Sequence, residues 1–302
     1  MYKFEVHNSK KFRVIVDTDA KNEADDQYTI VHALLTPKFV VKGIIGTHFG
    51  TRRTDRSMEE SYDECVKVVD LMGLTDKVDV LKSAVNAVKS ETEYEYTEGA
   101  ARIVEEALSD DPMPLFVVFL GPITNLACAY LKHPEIAGKL TAIWIGGDTY
   151  PNGGFEFNLS NDITAANIIM KSGIELWQVP KNVYRMMRTS LAELEARVYP
   201  CGEVGKYLFE QLVEFNTRVS SLHNDEGWPF GESWALGDNP VIGLMMDDQE
   251  YDYTMKEAPF IDNEMKYHFD GKGRQIRVYH NIDHRFILED LFYKLKLNYG
   301  MK

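Results

Sequence analysis

Short apolar runs alternate along the chain with amphipathic stretches, and this alternation predicts strands and helices in turn. Val14 to Val16 form a β-branched run that suits a strand buried on both faces. The apolar positions between Ile30 and Leu35 form the buried stripe of a helix, which should end before Pro37. A second buried strand is predicted at Phe39 to Thr47. The order strand, helix, strand indicates an α/β protein.

The same alternation continues through the rest of the chain. Further strands are predicted at residues 78–81, 115–120, 140–145, 174–179 and 276–279. Further helices are predicted at residues 57–72, 98–108, 126–131, 164–170, 241–246 and 284–297, and residues 191–222 should be mainly helical. Closely spaced strand–helix–strand units favour an open, mostly parallel central sheet with helices on both faces. No linker divides the chain, so a single domain over residues 1–302 is expected.

Composition narrows the class of partner. The chain has 302 residues, 44% of them hydrophobic, and a formal net charge of −14. This charge argues against binding to nucleic acid or an anionic membrane, which need a basic face, and favours a small substrate that is neutral or bound with the help of a cation. Three cysteines, Cys65, Cys128 and Cys201, have no metal-ligand spacing and suggest reduced thiols in a cytoplasmic protein. No apolar run approaches a membrane span, and residues 1–13 lack an apolar signal core.

Four aspartates lie within ten residues at the first strand-to-helix turn: Asp17, Asp19, Asp25 and Asp26. In an open α/β sheet this turn lies at the carboxyl end of the strand, where ligands bind. Asn22 can cap the helix, and an acidic, solvated helix start remains one interpretation. Capping accounts for one or two acids, however, and four crowded carboxylates repel one another unless a cation neutralises them. Oxygen ligands without nearby Cys or His favour calcium, magnesium or manganese.

A loop rich in aromatic residues, glycines and acids runs from His223 to Pro240. Long ordered loops of this composition are often functional. Trp228, Phe230 and Trp234 either fill a hydrophobic gap at the surface or form a wall for a planar ligand. Asp238 precedes the helix predicted after this loop.

Taken together, the motifs resemble the inosine–uridine-type nucleoside hydrolase family, N-ribohydrolases that hold a calcium ion. The resemblance runs in chain order over residues 12–246. It is carried by DTD at Asp17–Asp19, DD at Asp25–Asp26, GPITNLA at Gly121–Ala127 and EFN at Glu156–Asn158, followed by Asp162. The fold implied is the Rossmann-like nucleoside hydrolase fold.

The resemblance also assigns roles to individual residues. It makes Asp19 both a calcium ligand and the base that deprotonates the attacking water. The implied metal ligands are Asp19, Asp26, Asp238 and the backbone carbonyl of Leu120. The implied sugar-binding residues are Asp25, Asn152, Glu156 and Asn158, and Trp228 and Trp234 are expected to bind the rest of the substrate. We expect a Ca²⁺ cofactor, a small riboside substrate and a homodimer or homotetramer.

Four departures from the family pattern concern the first turn, the base end of the site and two loops, one of which, the loop before EFN, is shorter than in the family. Five residues separate Asp19 from Asp25, where the family has three, so this turn should bulge. Gly237 stands where well-studied members carry a histidine that helps to protonate the leaving base. The loop after the second strand, which usually carries a ribose-binding Asn, offers instead His48, Thr51 and Arg52.

These observations favour calcium-dependent hydrolysis of the N-glycosidic bond of a ribonucleoside or related riboside, with water activated by Asp19. The alternative is a non-catalytic ribosyl-ligand binding protein on the same fold. A phosphatase that uses DTD as its nucleophile motif fits less well, because Lys21 replaces the expected hydroxyl residue. His223 is the candidate for a replacement leaving-group acid.

Overall fold

The computed structural model describes residues 2–220, 231–247 and 252–300. The strands are β1 (Phe12–Thr18), β2 (Phe39–Gly46), β3 (Val80–Lys82), β4 (Leu115–Phe119), β5 (Thr141–Ile145), β6 (Glu175–Val179), β7 (Arg188–Ser190), β8 (Ser233–Ala235), β9 (Tyr253–Glu257), β10 (Phe260–Ile261), β11 (Tyr267–His268) and β12 (Gln275–Tyr279). The α-helices are α1 (Asp26–Leu35), α2 (Ser57–Leu71), α3 (Glu98–Leu108), α4 (Thr124–Lys132), α5 (Phe157–Asn161), α6 (Ile163–Lys171), α7 (Lys181–Tyr184), α8 (Leu191–Arg197), α9 (Gly202–Ser220), α10 (Pro240–Met246) and α11 (His284–Tyr299).

An eight-stranded sheet with the order β3-β2-β1-β4-β5-β6-β12-β9 forms the centre of the molecule. Neighbouring strands in this sheet are parallel except β9, which runs antiparallel to β12. The prediction of an open, mostly parallel sheet is therefore confirmed. Val16 of β1 lies between Ile44 of β2 and Val118 of β4. Chain order reverses on the two sides of β1, and such a reversal opens a crevice at the carboxyl ends of the strands.

Helices cover both faces of the sheet, because successive side chains of a strand point to opposite sides. Val14 and Val16 pack into a core cluster that includes Ile30 of α1. Ile15 belongs to the cluster on the other face, which includes Ile103 of α3. Burial of β1 on both faces explains its unbroken apolar run, which hydrophobic alternation alone would not predict.

The edge of the sheet is the part that the pattern of apolar residues did not reveal. Strand β9 has four exposed residues and one half-buried residue, so it has no apolar stripe. The two-stranded ribbons β7–β8 and β10–β11 are also too short to give a periodic signal. Pairing with a distant strand, rather than local sequence, creates these elements.

Cys65, Cys128 and Cys201 are free thiols whose side chains are buried in the protein interior. Among the helices that the structure describes, none combines the length and the apolar character that crossing a bilayer requires.

Candidate active site

A cavity of about 790 Å³ opens at the crevice beside β1 and β4. This volume suits a small ligand of nucleoside size. The predicted site residues that line it are Asp19, Asp25, Asp26, Leu120, Glu156, Asn158, Trp234 and Asp238. Asn152 is exposed and is not among the residues that line the cavity. Trp228, Phe230 and His223 lie outside the described residues.

The turn between β1 and α1 carries most of the acidic groups. Its extra length is taken up by a tight turn in which the backbone N–H of Asn22 donates to the carbonyl of Asp19 at 2.8 Å. The prediction that Asn22 caps α1 is wrong. Helix α1 begins at Asp26, and the Asn22 side chain instead accepts a hydrogen bond from Arg53. The bulged turn brings Asn22 and Glu23 to the cavity wall, which the sequence did not predict.

Asp19 lies directly against Gly121, the first residue of the turn after β4. A Cβ atom added to Gly121 would lie 2.8 Å from Cγ of Asp19, closer than packed atoms approach. The glycine therefore provides the space in which the carboxylate lies. Among the described residues, no group donates a hydrogen bond to the buried Oδ2 atom of Asp19.

Three further carboxylates converge beside it. Asp25, Asp26 and Asp238 each place one oxygen within 4.8 Å of the others, although Asp238 comes from the far end of the chain. Burial, with the charge of Asp25, raises the pKa of Asp26 to about 8, and burial raises that of Asp25 to about 6. Burial and the charges of neighbouring aspartates also raise the pKa of Asp19 and Asp238 well above the usual range.

A hard divalent cation fits this arrangement. All of the donors are carboxylate oxygens, and a bound cation would compensate the repulsion that raises their pKa values. Two members of the predicted metal set, Asp26 and Asp238, belong to the converging group. Asp25, predicted to hold the sugar, is their third partner, and Asp19 lies beside them along the same cavity.

Asp17 has a different role from the other aspartates of the first turn. Its carboxylate is buried at the end of β1 and accepts a hydrogen bond from the Asn125 amide at 2.7 Å. Burial raises its pKa well above the usual range. Asp17 ties β1 to helix α4 and is not among the residues that line the cavity.

Glu156 and Asn158 form the opposite wall, at the start of helix α5. The Glu156 carboxylate accepts the backbone N–H groups of Gly147, Asn158 and Leu159 at 2.8, 3.1 and 2.9 Å. It also accepts the hydroxyl of Tyr184 at 3.0 Å. Four donors match the capacity of one carboxylate, so Glu156 is held firmly and a sugar hydroxyl has to share or replace one of them.

The Asn158 amide joins two neighbouring strand ends. It donates to the carbonyl oxygens of Leu120 at 2.6 Å and Ile145 at 2.9 Å. The Leu120 carbonyl keeps a second lone pair, so this contact is compatible with its predicted role as a metal ligand.

Tyr184 occupies the region where the base end of the site was expected. Its ring lies next to Gly237, since a Cβ atom on Gly237 would approach Cδ2 of Tyr184 to 3.1 Å. Burial, followed by the charge of Glu156, raises the pKa of the Tyr184 hydroxyl well above its usual range. Trp234 is buried, with its ring edge-on to Phe215 at a centroid distance of 5.6 Å.

In the loop after β2, only Arg52 and Arg53 line the cavity. His48 is buried below it, where its ring pairs with Thr124 at 2.9 Å and Thr124 donates to Asp162 at 2.7 Å. Asp162, part of the motif that suggested sugar binding, also caps helix α6 through the N–H of Ala165. These residues form a buried polar network that holds the turns below the site.

Several lining residues were missed at the sequence level, and four of them come from one segment directly after β6. Lys181, Tyr184, Arg185 and Arg188 all line the cavity. Their spacing of three, four and seven residues is that of one helix face, and they directly follow a predicted strand. This combination was the available signal.

The protein has an open, mostly parallel α/β sheet, and its acidic cavity lies where the strand order reverses. This is the usual position of the active site in open α/β enzymes, and the acidic groups of the cavity suit a hard cation. The family model described as inosine-uridine preferring nucleoside hydrolase matches residues 14–286. The chain therefore belongs to this family of hydrolases, which act on the N-glycosidic bonds of ribonucleosides.

Similar proteins carry corresponding names. The pyrimidine-specific ribonucleoside hydrolase RihA of Salmonella arizonae is 26% identical over 242 residues, covering 72% of this chain and 74% of that protein. RihA of Escherichia coli is 24% identical, with the same coverage. The solved plant nucleoside hydrolase PpNRh1 superposes with a TM-score of 0.75 at 19% identity, covering 94% of this chain and 98% of that one. A purine-preferring ribonucleoside hydrolase from Gardnerella vaginalis has a TM-score of 0.73 at 18% identity, covering 96% and 100%. These two structures share the fold.

Proposed function

We propose that the protein hydrolyses the N-glycosidic bond of a ribonucleoside or related riboside with calcium as its cofactor and Asp19 as the base. The observation that carries this proposal is the geometry of the cavity floor. There, three carboxylates converge and the Oδ2 atom of Asp19 is buried without a hydrogen-bond donor among the described residues. Calcium accepts six to eight oxygen ligands in a flexible shell, which suits this donor set.

Each of these residues of the cavity has its own role in the proposed reaction. A bound divalent cation supplies positive charge that lowers the pKa of a nearby water. Asp19 takes the proton from the attacking water, and Asp25 holds a ribose hydroxyl. Glu156 and Asn158 hold the sugar from the opposite wall. The surrounding carboxylates stabilise the positive charge that develops on the sugar as the bond to the leaving group breaks.

The part of this site that faces the leaving group differs from the pattern of well-studied family members. Gly237 offers no side chain, and the Tyr184 hydroxyl is already engaged with Glu156 and has a raised pKa. A general acid contributes about a hundred-fold to ten-thousand-fold to such a reaction. We therefore infer that leaving groups that depart without protonation are preferred. The names of the relatives, pyrimidine-specific and purine-preferring, give no common base to carry over.

A panel of ribosides tests this proposal. Inosine, uridine and adenosine are compared with p-nitrophenyl riboside and nicotinamide riboside in the presence of calcium. We expect the last two to be cleaved markedly faster. Rapid hydrolysis of inosine or uridine would contradict the leaving-group argument. Binding of ribose without cleavage of any riboside would favour the alternative, a ribosyl-ligand binding protein.

Several expectations from the sequence remain proposals. These are a single domain over residues 1–302, a homodimer or homotetramer, and a cytoplasmic location; we also propose a role in purine or pyrimidine salvage.

A further inference from the structure

Cationic side chains surround the mouth of the cavity, although the chain as a whole carries a formal net charge of −14. We call this group the basic rim; it consists of Arg52, Arg53, Lys181, Arg185 and Arg188. The floor of the same cavity is acidic. A neutral nucleoside needs no basic rim, so the rim calls for a separate explanation.

The rim comes from two separate segments of the chain. Arg52 and Arg53 follow β2, and the other three cations follow β6. The segments meet at Phe155 and Phe157. The guanidinium of Arg52 lies 4.9 Å from the ring centroid of Phe157 and 5.6 Å from that of Phe155, and Lys181 lies 5.9 Å from the latter. The two aromatic residues flank Glu156, so the cations border the wall that is proposed to hold the sugar.

Three of these cations have no acidic partner within the described part of the chain. Arg52 donates only to uncharged groups, the Ser160 hydroxyl at 2.7 Å and the Asn161 side-chain oxygen at 3.3 Å. Arg185 and Arg188 are exposed side chains for which the described residues provide no hydrogen bond or ion pair. By contrast, Lys181 has the carboxylate of Asp148 at 3.9 Å. Unpaired guanidinium groups at a ligand cavity are suited to a phosphate, which they bind in a bidentate manner.

We propose that the substrate is a riboside that carries a phosphate on C5 of the ribose. This inference rests on the proposed function. The acidic floor would repel a phosphate on the sugar hydroxyls that face it, so the phosphate has to lie on the side of the mouth. There it meets the basic rim, while the anomeric carbon stays over the floor. The rim would also attract an anionic substrate to a protein that otherwise repels it.

Matched substrate pairs test this proposal with the full-length protein and calcium. Nicotinamide riboside is compared with its 5′-monophosphate, and inosine with its 5′- and 3′-monophosphates. Within each pair the leaving group is the same, so the pair isolates the phosphate from the leaving-group argument. We expect kcat/KM to be at least tenfold higher for the 5′-monophosphate, mainly through KM, and the 3′-monophosphate to be a poor substrate.

The double variant Arg185→Gln/Arg188→Gln tests whether the basic rim causes the preference for the 5′-monophosphate. The ratio of kcat/KM between 5′-monophosphate and riboside should fall tenfold or more. Arg285→Gln is the matched control, because Arg285 is an arginine with 78% exposure on α11, away from the cavity, and its ratio should not change. If the arginines only balance the acidic floor, both kcat/KM values fall together, the ratio is preserved and the proposal is wrong.

The outcomes separate this proposal from the proposed function. Ribosides cleaved as well as or better than their 5′-monophosphates would overturn the phosphate proposal and leave the hydrolase function intact. If nothing is cleaved, the hydrolase proposal fails, and calorimetry with ribose 5-phosphate and ribose then decides the phosphate question. Tighter binding of ribose 5-phosphate, lost in the double arginine variant, supports the rim, and equal binding overturns it. Stronger binding of a single-stranded oligonucleotide would also overturn the choice of a monophosphate.

Discussion

The ring of Tyr184 lies beside Gly237 so closely that a Cβ atom on the glycine would be 3.1 Å from Cδ2 of the tyrosine. The two residues belong to separate segments, α7 and the turn before α10, yet together they shape the base end of the cavity. The space that a side chain at position 237 would use is therefore partly filled by an aromatic ring, which Glu156 holds in place. A side chain at this position therefore has to displace the Tyr184 ring by a few tenths of an ångström.

Gly237→His should destabilise the fold by about 1 to 3 kcal/mol, because the new side chain overpacks the ring of Tyr184. Combined with Tyr184→Ala, the histidine gains room, and turnover of inosine and uridine should rise about tenfold or more over the parent protein. Urea unfolding and steady-state kinetics measure the two effects. Tyr184→Ala alone is the control for the lost ring. A double variant no more active on inosine than this control would show that an imidazole at 237 does not act as an acid.

Asp19→Asn should lower turnover by about three orders of magnitude or more while the fold is retained, because the proposed base is removed. The thermal unfolding midpoint with and without calcium provides a second readout, since a ligand that binds the folded state raises it. Asp17→Asn is the comparison within the same turn. It should affect stability more than turnover, because Asp17 contacts Asn125 outside the cavity. Near-normal turnover in the Asp19 variant would exclude Asp19 as the base.

Gly121→Ala should lower activity and the response to calcium together, because the new methyl group would lie 2.8 Å from Cγ of Asp19 and push the carboxylate aside. Gly173→Ala is the matched control, since its Cβ atom would meet Ala137 at an ordinary 3.4 Å. Both substitutions add one methyl group to a glycine, so the kinetics and the calcium-dependent thermal shifts of the two variants can be compared directly. Full activity in the Gly121 variant would mean that the position of Asp19 is not critical.

The contribution of His32 and His48 to stability should decrease as the pH falls from about 6.5 to about 4, whereas the buried carboxylates with raised pKa values contribute in the opposite direction. Burial lowers the pKa of His32 to about 4, outweighing its hydrogen bond to Asp290, and burial lowers that of His48 to about 4 as well. The unfolded chain takes up these two protons near pH 6.5, so at these two sites it binds more protons than the folded chain within this window, and their contribution is complete above it. Each histidine contributes up to about 3 kcal/mol.

Urea unfolding at pH 7 and pH 5 measures this loss. His32→Gln should make the protein more stable at pH 5 relative to pH 7 than the parent protein is, whereas the same substitution at His7, an exposed residue, should leave this relation unchanged. An unchanged difference in the His32 variant would assign the acid sensitivity to other groups.

Local patterns in the sequence were sufficient for the central elements and for the acidic turn. The strands at the centre of the sheet, such as β1, β4 and β5, coincide with apolar runs, because burial on both faces requires such a run whatever the neighbouring strand is. Asp19, Asp25 and Asp26 could be assigned to the cavity because a strand-to-helix turn in such a sheet lies at its ligand-binding edge.

Only the tertiary structure decided which side chains meet across that edge. Asp238 joins Asp25 and Asp26, Tyr184 fills the space beside Gly237, and the basic rim comes from the segments after β2 and β6. In the tertiary structure Asp17 also contacts Asn125 instead of lining the cavity, and Asn152 is exposed at the surface. The physical reason is that periodicity reports the environment of a residue along its own element. Contacts between loops depend on the order of the strands and the path of the chain between them, which long-range packing determines.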